Sequence, residues 1–216
     1  MRYALLALLL AGPLAAQAPA DTTIIRDQRG FDSLMADVRS IDTSIVVESR
    51  YFTSNNFTGA PLPGYDANRA FLRKEAVAAL SRVQARLRRQ HLGLIIYDGY
   101  RPVRATEEMV AWAERVGRKV ELVDGGYIAS RSRHNLGLAI DLSVIDLRTR
   151  RPLEMGTPFD TFNEAAHTAN ATGEAAKNRK LLGDAMTAEG FENYDQEWWH
   201  FLMRLPSEPR FDVPVR

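Results

Sequence analysis

The stretch Leu138-Ala139-Ile140-Asp141-Leu142-Ser143-Val144-Ile145 restricts the fold of this chain more than any other. It alternates in part and reads as a strand. Asp141 lies among Leu138, Ala139, Ile140 and Leu142. A carboxylate in such company is costly to bury unless something cationic neutralises it. The chain must therefore bring either a metal ion or a buried arginine to the middle of this strand.

The available metal chemistry is narrow. There is no cysteine among the 216 residues. Disulfides, thiolate zinc sites and a lipid anchor on cysteine are excluded. Any metal must be held by histidine, aspartate or glutamate, and the histidines are His91, His134, His167 and His200. His134 sits in a polar turn just ahead of the strand. His200 closes Glu197-Trp198-Trp199-His200, where a satisfied core histidine is the ordinary reading. On a regular strand, positions three apart point to opposite faces. Glu197 is therefore expected in the turn before a strand that starts at Trp198, leaning over a metal held by His200. His134, Asp141 and His200 together offer three N/O ligands, the complement of a catalytic zinc that keeps an open position. Such an ion can bring the pKa of water to about 7, and a neighbouring carboxylate can shuttle the proton. In Tyr97-Asp98-Gly99-Tyr100-Arg101-Pro102, Arg101 follows a strand end and a glycine turn. It can bind a carboxylate or polarise a carbonyl, or form a structural ion pair with Asp98.

The organisation around these segments is that of one domain. Residues 1–20 carry Arg2, an apolar run from Tyr3 to Ala11, and spaced alanines at 16, 18 and 20. They read as a cleaved secretory signal peptide, leaving a domain over residues 21–216 in the periplasm or outside the cell. The alternative of a membrane anchor conflicts with a run far shorter than the roughly 20 residues that span a bilayer. A net charge of +1, from 28 basic and 27 acidic residues, gives no concentrated positive surface for nucleic acid. Strands are expected at Ser44–Ser49, Leu94–Tyr97, Leu138–Ile145 and Trp198–Leu205. Helices are expected at Asn68–His91, capped by Asn68, at Val103–Arg115 and at Glu174–Glu189. Asn55–Tyr65 and Arg148–Asp160 read as loops. Helices and strands mix without strict alternation, which indicates an α+β fold.

Ser132-x-His134-x-x-Gly137-x-Ala139-x-Asp141, with Glu197-x-Trp199-His200 and Asp98-Gly99-Tyr100-Arg101-Pro102, resembles the metal-binding pattern of the M15 peptidases. The VanX-type dipeptidases match further, through Tyr51, Asn56-Phe57-Thr58-Gly59, Gly64-Tyr65, Asn68-Arg69, Met155-Gly156-Thr157-x-Phe159-Asp160 and Phe211-Asp212-x-Pro214-Val215. The resemblance runs from about Ile45 to the C-terminus. It implies helices packed on a central antiparallel sheet and one zinc ion held by His134, Asp141 and His200. It implies Glu197 as general base and acid, and Arg101 as the stabiliser of the oxyanion. Tyr51, Ser132 and Asp160 fall where the family lines its substrate pocket, with Asp160 near the substrate ammonium. The implied substrate is D-alanyl-D-alanine or a similar small dipeptide. Two alternatives are a D,D-carboxypeptidase or endopeptidase on larger wall peptides and a non-catalytic wall-binding module. The stretch Asn163-Glu164-Ala165-Ala166-His167 matches the family only in part, and His167 is not expected as a ligand. Family members of this type usually lack a leader, so export implies a different job, such as trimming of wall fragments.

Overall fold

A computed structural model describes residues 23–206 and 209–216, and the expected leader lies outside them. The described chain opens with β1 (Ile24–Ile25), α1 (Gln28–Leu34), β2 (Met35–Asp37), β3 (Val46–Val47) and β4 (Phe71–Arg73). Helix α2 (Lys74–Arg88) leads into β5 (Leu92–Asp98) and α3 (Val103–Arg115). Then come β6 (Ala139–Asp146), β7 (Arg151–Pro152), α4 (Gly173–Thr187), β8 (Glu192–Asn193), β9 (His200–Leu202) and β10 (Arg210–Phe211). The main sheet runs β3-β5-β6-β9-β8, with β7 also on β6. Its pairings are antiparallel except for the parallel edge between β3 and β5. The fold is thus α+β, a single domain with helices on a largely antiparallel central sheet, as expected. Among the described residues no helix is long and apolar enough to cross a membrane.

Residue alternation in β6 sorts the molecule into two sides. Ile140, Leu142 and Val144 join Leu94 and Ile96 of β5 in the main core, against Ala76, Leu80, Val83 and Leu87 of α2 and Leu182, Ala185 and Met186 of α4. Ala76, Leu80, Val83 and Leu87 recur at helical spacing and form this buried face, while the side chains of Arg82, Arg86 and Arg88 stay in solvent. Gln84, fully buried, donates to Ser44 Oγ and accepts from the Leu94 amide, both at 2.8 Å. Its polar atoms are satisfied, so the core does not bear an orphaned amide.

Helix α2 starts later than its sequence suggests. Phe71–Arg73 are drawn out as β4 by their ladder with β2, so the helix begins at Lys74 and Asn68 does not cap it. Asn68 instead accepts from the Ser49 amide at 2.9 Å and donates to the Val47 carbonyl at 3.2 Å. These partners stand 19 and 21 positions away, so the side chain ties distant segments together and does not cap a helix. The last long strand is also shorter than expected. Trp198 and Trp199 belong to a turn, and β9 holds only His200–Leu202. Helix α4 makes a further attachment through Arg179, which is almost wholly buried. Its guanidinium donates to the carbonyls of Met155, His167 and Ala165 at 2.7, 2.7 and 3.1 Å. That clamp fixes the excursion between β7 and α4, which carries Asp160.

Candidate active site

Strand register assembles the centre of the site. Asp141 of β6 stands opposite Asp98 of β5 on one side and His200 of β9 on the other. Directly opposed residues of antiparallel strands share a face and lie within side-chain reach. Regular alternation would put Asp98 on the helix side with Leu94 and Ile96. A register shift between Ile96 and Asp98 turns it to the side of Asp141 instead, the usual effect of a bulge beside a functional site.

His134 arrives from a 3-10 turn, Arg133–Leu136, whose first amides are capped by Ser132 Oγ accepting from the His134 amide at 3.2 Å. The turn ends at Gly137, with φ +66°. A Cβ there would run into the side chain of Met35, so glycine serves both conformation and space. Asn135 donates to the Arg101 carbonyl and to Thr106 Oγ1, both at 2.9 Å, and the Arg101 amide donates to the His134 carbonyl at 3.1 Å. The histidine turn and the arginine loop are therefore one rigid unit.

His134, Asp141 and His200 each present one ligand atom, and these atoms lie within 4.8 Å of one another. His134 Nδ1 is 2.7 Å from the Gly99 carbonyl. A carbonyl only accepts, so Nδ1 carries the proton and Nε2 keeps a lone pair directed at the cluster. Nε2 lies 3.3 Å from His200 Nδ1 and 3.3 Å from Asp141 Oδ2, and His200 Nδ1 lies 2.9 Å from Asp141 Oδ1. Two imidazoles and a carboxylate, one imidazole oriented by a backbone carbonyl, form a donor set that fits a zinc ion. Glu197 sits in the turn before β9, as expected, with Oε2 at 3.5 Å from His200 Nδ1.

Of its two sequence readings, Arg101 takes up the ion pair with Asp98. Its Nε and Nη2 pair with Asp98 Oδ2 at 2.9 and 2.8 Å, and Nη2 also lies 3.7 Å from Asp141 Oδ2. Asp98 in turn accepts from the Tyr65 hydroxyl at 2.6 Å. Tyr65 is the support that single-residue reading did not assign. Only the tertiary contact reveals it, since Tyr65 stands 33 positions from Asp98. Tyr51 donates to Asp160 at 3.2 Å, and the Arg101 guanidinium lies over its ring at 5.1 Å. His167 is not among the clustered ligand atoms. Its Nε2 meets the Tyr127 hydroxyl at 3.3 Å. His91 is exposed.

These residues border a cavity of about 280 Å³, lined by Tyr51, Arg101, Ser132, His134, Asp141, Asp160, Glu197 and His200 together with aromatic walls. Phe57 of the expected 55–65 loop is one wall, packed edge-on to Trp112 and Phe162 at 5.1 Å each. Three carboxylates, Asp141, Asp160 and Glu197, line the cavity. Burial, and then the Asp141 and Asp160 charges, hold the Glu197 carboxyl well above the ordinary range. Burial, followed by Asp141, does the same to Asp160. Burial also raises Asp141, but the two imidazoles outweigh it and keep that carboxylate ionised. Carboxylates this crowded favour a cation among them.

A metal-centred hydrolase is the class that fold and site define. The chain matches the peptidase M15 family model, described as D-ala-D-ala dipeptidase, over residues 32–211, and it belongs to that family. It is 36% identical over 186 residues to the D-alanyl-D-alanine dipeptidase of Enterococcus faecium, covering 78% of this chain and 92% of that one. To the D-alanyl-D-alanine dipeptidase of Streptomyces coelicolor it is 34% identical over 197 residues, covering 83% and 97%.

Proposed function

We propose that this chain is a zinc dipeptidase that hydrolyses D-alanyl-D-alanine or a similar small D-amino-acid dipeptide. The observation that carries this reading is the meeting of His134, Asp141 and His200 within 4.8 Å on the wall of a cavity that also holds Glu197 and Arg101. His134, Asp141 and His200 would hold the ion. When bound, zinc supplies Lewis-acid charge that polarises a carbonyl and acidifies water.

The chain's own groups do the rest. Glu197 takes the proton of the attacking water and returns it to the leaving amine. Arg101, held by Asp98 and Tyr65, presents fixed positive charge to the oxygen on which negative charge develops. Asp160 accepts the substrate ammonium, with Tyr51 fixing the carboxylate, and Ser132 supplies a hydroxyl on the pocket wall. A cavity of about 280 Å³ lies just under the usual range for small-molecule pockets, roughly 300 Å³ upward, and suits a dipeptide better than a wall pentapeptide. The leader-like residues 1–20 support a periplasmic or extracellular location, where a wall-derived dipeptide is within reach.

The test compares D-alanyl-D-alanine, L-alanyl-L-alanine and a wall pentapeptide, each with and without a chelator. Chelator-sensitive cleavage of the D,D-dipeptide is expected. Preferential trimming of the pentapeptide moves the chain to the carboxypeptidase reading, and binding without turnover moves it to a wall-binding module. Fractionation of cells making the full chain tests export.

A further inference from the structure

Helix α3 turns one buried face toward the Arg101 loop. Thr106 and Met109 stand three positions apart, so they share a side of the helix, and each is 1% exposed. Both hold the loop. Thr106 Oγ1 accepts from Asn135 Nδ2 at 2.9 Å, and the same amide nitrogen donates to the Arg101 carbonyl. Met109 takes the other end of the arginine. Arg101 Nη1 donates to its Sδ at 3.2 Å, and Met109 lines the catalytic cavity.

The guanidinium nitrogens are therefore held unequally. Nε and Nη2 meet the Asp98 carboxylate at 2.9 and 2.8 Å, a strong charge-assisted contact. Nη1 meets a thioether, which accepts only weakly. Stronger acceptors are near. Asp141 Oδ2 lies 3.7 Å from Nη2, and Asp160 and Glu197 line the same cavity. A contact that aims an N–H without satisfying it strongly is easily exchanged for an oxygen that gains negative charge. Interactions that strengthen between ground state and transition state are the ones that raise kcat.

We propose that Met109 is a positioning residue for hydrolysis. Its sulfur holds Arg101 Nη1 off the neighbouring carboxylates and ready for the oxyanion. The inference rests on the dipeptidase reading above. Its test measures kcat and KM for D-alanyl-D-alanine in zinc-loaded wild type, Met109→Leu and Met109→Gln. Beside these it measures the affinity of a phosphinate dipeptide analogue, whose tetrahedral oxygens carry the charge of the intermediate. Leucine keeps the volume and removes the acceptor. Met109→Leu should leave the melting temperature and KM near wild type. Its kcat should fall roughly fivefold, the worth of one modest hydrogen bond, and phosphinate affinity should fall by the same factor. Glutamine supplies an oxygen acceptor that competes in the resting state, so Met109→Gln should lower kcat further at unchanged KM. In the ¹⁵N-labelled protein without substrate, exchange between Arg101 Nη1 and Nη2 should quicken in Met109→Leu and slow in Met109→Gln. Wild-type kcat in Met109→Leu, a loss carried by KM or by the melting temperature, or full activity in Met109→Gln overturns the positioning role. A wild type that turns over no dipeptide overturns the hydrolytic reading instead. Unchanged Nη exchange in both variants then overturns the contact as well.

Discussion

Neighbouring residues of β6 live in opposite environments. Ile140, Leu142 and Val144 face the helices, where their partners are aliphatic and space is filled. Asp141 and Ser143, one step along the chain each time, face the other side, where they line two hollows. The helix side derives its stability from removing apolar surface from water. The other side gives up that gain to hold carboxylates, imidazoles and an arginine in fixed relation. One strand thus separates the part of the molecule that keeps it folded from the part that can do chemistry. The packed helix side is the rigid scaffold that holds these groups in place.

Substitutions along this boundary test the contrast, beginning with the largest effect. Asp141→Ala should abolish stoichiometric metal binding and reduce dipeptide hydrolysis to background, read by metal analysis beside a turnover assay. A variant that kept both would dissolve the ligand set. Glu197→Gln should leave metal content intact while kcat falls by about 10²–10⁴-fold, the usual share of a general acid–base group. Leu142→Ala, one residue from Asp141, should behave in the reverse manner. It should cost ~2–5 kcal/mol of stability through the cavity it leaves, while the folded fraction keeps its metal affinity. If Leu142→Ala lost metal before it lost stability, the two sides would not be separable. Asp160→Asn should raise KM for a free dipeptide by roughly tenfold, about 1.4 kcal/mol, and leave an N-blocked substrate nearly unchanged. An equal effect on both would remove the ammonium contact.

The smallest effect should appear away from both sides. Arg104 pairs with Asp212 at 2.9 Å. Burial pushes the Asp212 carboxyl up, but the hydrogen bonds from Arg104 prevail and its folded pKa is lowered. A depressed carboxyl pKa contributes stability above the unfolded value, about 3.9, and loses it as pH falls through the folded one. Arg104→Ala should therefore lower the melting temperature slightly at neutral pH. The gap to wild type should close under strong acid. A gap that widened in acid would reverse the sign of this contact.

Much of the site was legible because its chemistry is local in type. A carboxylate inside an apolar strand, a histidine in a polar turn and a Glu-x-x-His pair before a strand each announce themselves by cost or spacing. The chain alone also determined the absence of thiolate chemistry, the helix at Val103–Arg115 and the buried stripe of α2. The stretch after the leader held no such signal, and β1, α1 and β2 went unread. So did the true start of α2, because a ladder to β2 outcompeted the local preference of residues 71–73 for helix.

What the tertiary structure alone decided was direction and neighbourhood. Alternation assigns Asp98 to the helix side. The bulge after Ile96 turns it to face Asp141, where it holds Arg101. Nor does any spacing disclose that Tyr65 supports Asp98, or that Met109 accepts from Arg101 Nη1. Sequence fixes which groups are costly to bury, since that is a property of each side chain and its near neighbours. Which partner offsets that cost depends on strand register and loop closure, and these are settled only when distant segments pack together.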